Sequence, residues 1–338
     1  LIGLRNLLSD VLPDVEIAAR IAQEINPEHY KKGFHTTGTA NCFGTATAVS
    51  KVLNLDKEGL LASMGLAATQ ASGIRQFMID GDLLTSAFHA GKAAQSGIQS
   101  ALLSSYGFPS TPGILEGQFG FLNVFTEKST SVERLLQNLG KDFYITRAAI
   151  KPYPCCRFIH GAIDAALQLR EQGCPASEGE IQRIKIETFK TAANSCDRIN
   201  YDSVTSAKFS IQYNIATALI NGNVALKDFT EESIAKSHIR SLAKKVEVLG
   251  DAALEELFPE SWVYRLEVFT NQGKKYSTSL NDPLGSIRRP MSDDQLKNKF
   301  ESLTFPVLGK NKADELLNVL INIQRIADLK QLASLMVL

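Results

Sequence analysis

Ile181-Gln182-Arg183-Ile184-Lys185-Ile186-Glu187-Thr188-Phe189 decides the fold, because its apolar and polar residues alternate as in a half-buried strand. The chain before it has another texture. From Leu1 to about Leu139 the pattern is mainly helical, with Ala-rich periodic runs such as Val15-Glu16-Ile17-Ala18-Ala19-Arg20-Ile21-Ala22. Small residues crowd Gly44 to Ser50 and Gly65 to Gly73, which suits helices that approach closely in a tight bundle. Tyr106-Gly107-Phe108-Pro109-Ser110-Thr111-Pro112-Gly113 breaks that pattern with two Gly and two Pro. Downstream, Val246-Glu247-Val248-Leu249 reads as a further strand. Tyr264 to Thr270 and Lys275 to Leu280 flank Asn271-Gln272-Gly273 as a hairpin. An amphipathic helix is expected from Phe209 to Ile220, and after Pro290 the chain returns to helix through Phe300 to Leu338. The predicted fold is α+β and mainly helical. An all-helical domain of residues 1–147 and 291–338 carries a smaller α+β domain, residues 148–290, inserted before the C-terminal helices.

With 338 residues, 44% hydrophobic and 21% charged, the chain is long enough for two ordinary globular domains. Thirty-six basic residues balance 36 acidic ones, and no run of like charges marks a nucleic-acid or membrane surface. No apolar stretch reaches the roughly 18 residues that span a bilayer, and the N-terminus lacks a secretory pattern. The expected compartment is the cytoplasm or an organelle matrix. Cys42, Cys155, Cys156, Cys174 and Cys196 are odd in number and have no metal-binding spacing, so they read as free thiols. The five His are scattered without H-E-x-x-H or related spacing, and no metal site is expected. Dinucleotide, P-loop and serine-hydrolase signatures are absent from the sequence.

Lys151-Pro152-Tyr153-Pro154-Cys155-Cys156-Arg157-Phe158-Ile159-His160 crowds a cation, a phenol, two thiols and an imidazole into one corner. Pro152 favours extended backbone at Lys151. Pro154 suits the first turn of a helix with Ile159, Ile163, Ala166 and Leu167 on its apolar face. On that reading Lys151 and Tyr153 flank a helix N-terminus able to attract a carboxylate; the alternative is a capped joint with ordinary surface side chains. Asp164, four residues after His160, could orient the imidazole or merely pair with it. The turn Gly33-Phe34-His35-Thr36-Thr37-Gly38-Thr39-Ala40-Asn41 offers an imidazole, three hydroxyls and an amide to a polar ligand, or simply caps the next helix. His89, beside the small residues Ala90-Gly91, has room for a ligand at its ring. Lys208 is expected at the start of a helix, and His29 and His238 on the surface.

Three blocks, G-F-H-x-T-G-T at Gly33–Thr39, F-H-A-G-K-A-A at Phe88–Ala94 and K-P-Y-P-C-C-R-F-I-H-G-A-I-D-A at Lys151–Ala165, resemble the MmgE/PrpD family in order and spacing. Leu115–Phe121, Ala207–Ser210 and Lys299-Phe300 extend the likeness over nearly the whole chain. The resemblance implies enzymes of the kind of 2-methylcitrate dehydratase, cis-aconitate decarboxylase and iminodisuccinate epimerase. These act on small di- and tricarboxylic acids without metal or organic cofactor, usually as homodimers, and their α+β domain forms a lid. It also implies His89 and Lys151 as catalytic residues, with His35, Thr39, Tyr153, Cys156, His160 and Lys208 binding substrate. The common reaction is proton abstraction next to a carboxylate, followed by loss of water or carbon dioxide or by reprotonation. A lyase of the hydro-lyase type is the leading expectation. An epimerase or isomerase of a dicarboxylate, or a non-catalytic or truncated paralogue that binds a carboxylate or only dimerises, are the alternatives. By the resemblance the chain begins partway into the family pattern. It also has Thr85-Ser86-Ala87-Phe88-His89 where relatives carry T-K-R-L-H, and Cys156 where the decarboxylase has His, so decarboxylation is the least favoured chemistry.

Overall fold

The period-two stretch forms one of the two inner strands of a four-stranded sheet in the computed structural model, which describes residues 4–80, 83–127, 129–326 and 329–337. The chain divides into one unit made of Leu1–Ala148 with Leu296–Leu338 and a second made of Ala149–Gln295.

In the first unit the helices Leu4–Ile25, Asn41–Val52, Lys57–Ala68 and Leu83–Ser105 pack together around Ile21, Ile25, Phe43, Ala46, Ala67, Ala93, Phe121 and Leu122. The small residues act where backbones meet. A Cβ on Gly97 would lie 2.6 Å from the backbone N of Ala46, so Leu83–Ser105 and Asn41–Val52 approach more closely than any larger residue permits. Lys57–Ala68 ends before the second half of the small-residue run, and Thr69–Gly73 turns back toward Gly33. Arg20, buried on Leu4–Ile25, bonds Glu16 and donates to the carbonyls of Leu135 and Gln137, both at 2.7 Å. Glu16 in turn accepts from the backbone N–H of Tyr144 at 2.8 Å, so one buried ion pair ties residues 135–144 to the first helix. C-terminal helices Asp293–Leu308 and Lys310–Ile321 follow, with a small cluster of Leu316, Val319 and Leu335. No described helix is long and apolar enough to cross a membrane.

In the second unit the sheet order is β2-β1-β3-β4, with β1 Ile181–Phe189, β2 Val246–Asp251, β3 Val263–Thr270 and β4 Lys275–Asn281. β1 runs parallel to β2 and antiparallel to β3, and β3 and β4 form the expected hairpin. Helix His160–Glu171 lies so close on this sheet that a Cβ at Gly161 would overlap the ring of Tyr264 on β3. Helix Ile211–Asn221 differs from expectation: it is buried on nearly every face rather than amphipathic, because it packs both on His160–Glu171 and on Ser237–Ala243. Ser210 caps its N-terminus by accepting from the Tyr213 N–H at 3.0 Å.

Candidate functional site

The G-F-H turn and the F-H-A-G helix converge within the first unit. Phe34 and Ile74 form an isolated antiparallel bridge, His35 N–H donates to Gly73 O at 3.0 Å, and Arg75 N–H donates to Gly33 O at 2.8 Å. This short pairing fixes the backbone on both sides of His35. It depends on glycine: a Cβ on Gly38 would fall 2.4 Å from Ser72 O, and Gly73, at φ 156°, lies 3.5 Å by its Cβ position from Cε1 of His89. His89, 8% exposed on helix Leu83–Ser105, then meets His35 with Nδ1 to Nδ1 at 2.9 Å. Phe77 stands edge-on to both rings, with centroids 5.1 and 5.5 Å away, and is itself buried.

Two neutral imidazoles sharing one Nδ1···Nδ1 contact must be opposite tautomers, since one donates and the other accepts. Their Nε2 atoms are then unlike as well: one ring keeps a lone pair there and the other an N–H. The pair thus offers one proton acceptor and one proton donor from two identical residue types. Burial, then the charges of His89 and Arg75, pull His35 from the usual imidazole value down to about 4. A proton entering the pair is therefore disfavoured on His35 at neutral pH.

Behind this pair lies a histidine that the sequence reading expected on the surface. His29 is fully buried, because Phe34 stacks on it at 4.7 Å and both ring nitrogens find partners. Its Nδ1 faces Phe125 O at 3.1 Å and so carries the proton; Nε2 accepts from the Thr39 hydroxyl at 2.8 Å. Thr39, expected to bind substrate, is fully buried with that hydroxyl engaged. It braces the helical turn Thr36–Thr39 that follows His35. Of the Asp80-Gly81-Asp82 stretch before helix Leu83–Ser105, Gly81 and Asp82 lie outside the described residues.

The second-unit corner departs further from expectation. No helix begins at Pro154; a 3-10 turn covers Arg157–Ile159 and the helix starts at His160, which is fully buried. Lys151 and Tyr153 therefore do not flank an open helix N-terminus. The reason is a set of long-range bonds. Tyr153, 8% exposed, donates to Asp164 Oδ1 at 2.7 Å, while Asp164 Oδ2 accepts from the Leu284 N–H and Arg289 at 2.7 and 2.8 Å. Burial and the Asp164 charge push the Tyr153 hydroxyl far up, so it is a fixed donor. Asp164 serves Tyr153 and Arg289; the His160 ring has among its partners the Arg157 guanidinium at Nδ1, 3.0 Å, and Cys155 O at Nε2, 3.4 Å. Tyr153 and His160 thus hold the corner from within.

Lys151 is exposed and Cys156 and Lys208 are partly so. Lys208 follows the short helix Val204–Ala207 rather than starting one, and its carbonyl accepts from Cys156 N–H at 2.9 Å. The Cys156 thiol is lowered, first by a hydrogen bond from Cys196 and also by the Phe158 N–H and the Lys151 and Arg198 charges, against its own burial. Cys155, wholly buried beside it, is raised. All five cysteines are free, and among the described residues no three His, Cys, Asp or Glu side chains cluster as metal ligands.

Arg75 is the residue the sequence reading missed. Its signal was faint: a cation two residues after Gly73, in the segment that pairs with the G-F-H turn. The guanidinium lies 3.5 Å over the Tyr30 ring, and its Nε is buried without a hydrogen-bond partner.

The chain is similar to several curated proteins. Cis-aconitate decarboxylase of Aspergillus terreus is 25% identical over 96% of this chain and 70% of its own length. The human cis-aconitate decarboxylase is 23% identical over 95% and 67%. The mitochondrial 2-methylcitrate dehydratase of Yarrowia lipolytica is 26% identical over 57% and 40%. Family models for the MmgE/PrpD N-terminal domain and the MmgE/PrpD C-terminal domain match residues 3–133 and 153–324. The second of these alone covers more than half of the sequence, and both His35 and His89 fall within the first: the chain belongs to the MmgE/PrpD family.

Proposed function

We propose that this chain is a lyase of the hydro-lyase type that abstracts a proton next to a carboxylate of a small di- or tricarboxylic acid. The observation that carries this reading is the 2.9 Å Nδ1···Nδ1 contact of His35 and His89. It supports an acid and a base side by side: elimination of water needs a base at carbon and a donor for the departing hydroxyl. His89 takes the proton at Nε2, and its Nδ1–H is then held by neutral His35. His35 Nε2–H is the donor for the leaving group or the carboxylate oxygen. A second reading, loss of carbon dioxide instead of water, is favoured by the names of the decarboxylase relatives. The same proton donor would then act on the carbanion-like product.

The test is proton NMR in deuterated buffer with citrate, 2-methylcitrate and cis-aconitate. The wild type is expected to convert one of them, while His89→Gln loses about 100-fold or more in kcat with its urea midpoint retained. Wild-type turnover by His89→Gln would overturn the reading. Water loss leaves every carbon in the product and decarboxylation removes one, so the product spectrum separates the two chemistries. Lys151→Met in the same assay tests the role that the family resemblance implies for Lys151.

A further inference from the structure

We infer that Arg75 is the residue that grips a substrate carboxylate beside the His35–His89 pair. This rests on the reading of that pair as the acid–base centre. Among the described residues the other buried and half-buried arginines are occupied. Arg20 bonds Glu16 and two carbonyls; Arg157 bonds Leu284 O and the His160 ring; Arg170 bonds the carbonyls of Leu219 and Ile220; Arg289 bonds Asp164. Arg75 is different. Among the described residues neither a carboxylate nor a carbonyl engages its guanidinium, and the buried Nε has no partner. A guanidinium carries five N–H donors, and leaving a buried one unused opposes folding unless a ligand supplies the acceptor.

Three further facts aim this group at the site. Its backbone N–H is bonded to Gly33 O, two residues before His35. Its guanidinium carbon sits 3.5 Å from the centroid of the Tyr30 ring, which restricts the fork before any ligand arrives. Its charge adds to the burial and the His89 charge that lower His35. A planar cation with free donors, seated on Tyr30 and close enough for its charge to act on His35, matches a planar carboxylate, which accepts two parallel N–H bonds. The same cation draws electron density from the carbon next to that carboxylate, where the base acts. Tyr30 is the platform and does not touch the ligand.

The experiment compares wild type, Arg75→Lys and Arg75→Met on whichever acid the wild type converts, with urea midpoints measured alongside. Losing a charge-assisted bidentate contact is expected to raise KM by about 10- to 100-fold in Arg75→Met, with a smaller fall in kcat. Arg75→Lys should recover part of that loss, since it keeps the charge and not the fork. An unchanged KM in Arg75→Met, whether its urea midpoint falls or not, would overturn the inference and leave Arg75 as packing for Tyr30. A wild type that neither binds nor converts any of the acids would instead overturn the functional reading, and this inference with it.

Discussion

Lowering the pH should weaken this fold through His35 in a way that a single substitution can isolate. The imidazole is pulled from 6.5 to about 4, by burial first and then by the charges of His89 and Arg75. Between those two values the unfolded chain binds a proton that the folded chain refuses. The stabilising contribution is therefore complete above about pH 6.5 and is lost as pH falls toward about 4. Going from about pH 7.5 to about pH 5, a fully shielded ring with this shift would cost about 2 kcal/mol; His35 is only half-buried, so about 1 kcal/mol is expected after solvent screening. The assay is urea unfolding of wild type and His35→Asn across that pH range. Asn is chosen because its amide can still hydrogen-bond to His89. His29, lowered in the same direction by its own burial, is present in both proteins and cancels in the difference. The wild type should lose about 1 kcal/mol more than His35→Asn. Two stability curves that run parallel from neutral to acid pH would refute the claim that His35 is held neutral.

Gly38→Ala would bring a Cβ to 2.4 Å from Ser72 O, a backbone atom that cannot swing aside. A loss of about 1–3 kcal/mol in urea unfolding is expected, together with a fall in turnover as the His35–Gly73 pairing shifts; an unperturbed variant would mean that this contact does not position His35. Tyr153→Phe removes the donor to the buried Asp164. It should cost about 1–3 kcal/mol of stability and leave KM for the converted acid nearly unchanged. A raised KM in a protein of wild-type stability would restore Tyr153 as a substrate contact.

The alternation in Ile181–Phe189, the Gly273 hairpin and the small-residue runs are local signals, and each was legible because a strand or a close helix contact follows from period and side-chain size alone. Family membership was legible for a similar reason: the G-F-H, F-H-A-G and K-P-Y-P blocks are short strings whose residues and order can be read without coordinates. What a polar side chain does was not legible in that way. The burial of His29 needs Phe34, Thr39 and Phe125; the inward turn of Tyr153 needs Asp164, which also holds Arg289 from 125 residues away. The displacement of the helix start from Pro154 to His160 has the same origin, since those buried partners outweigh the propensity of Pro for a first helical turn. Arg75 could be seen only once the chain had folded, because its isolation is defined by the groups that fail to reach it. The sequence by itself determined the elements, the two textures and the family. Tertiary structure decided which polar groups are consumed in holding the fold and which stay free to act on a ligand, because hydrogen-bond partners distant along the chain leave no periodic mark in it.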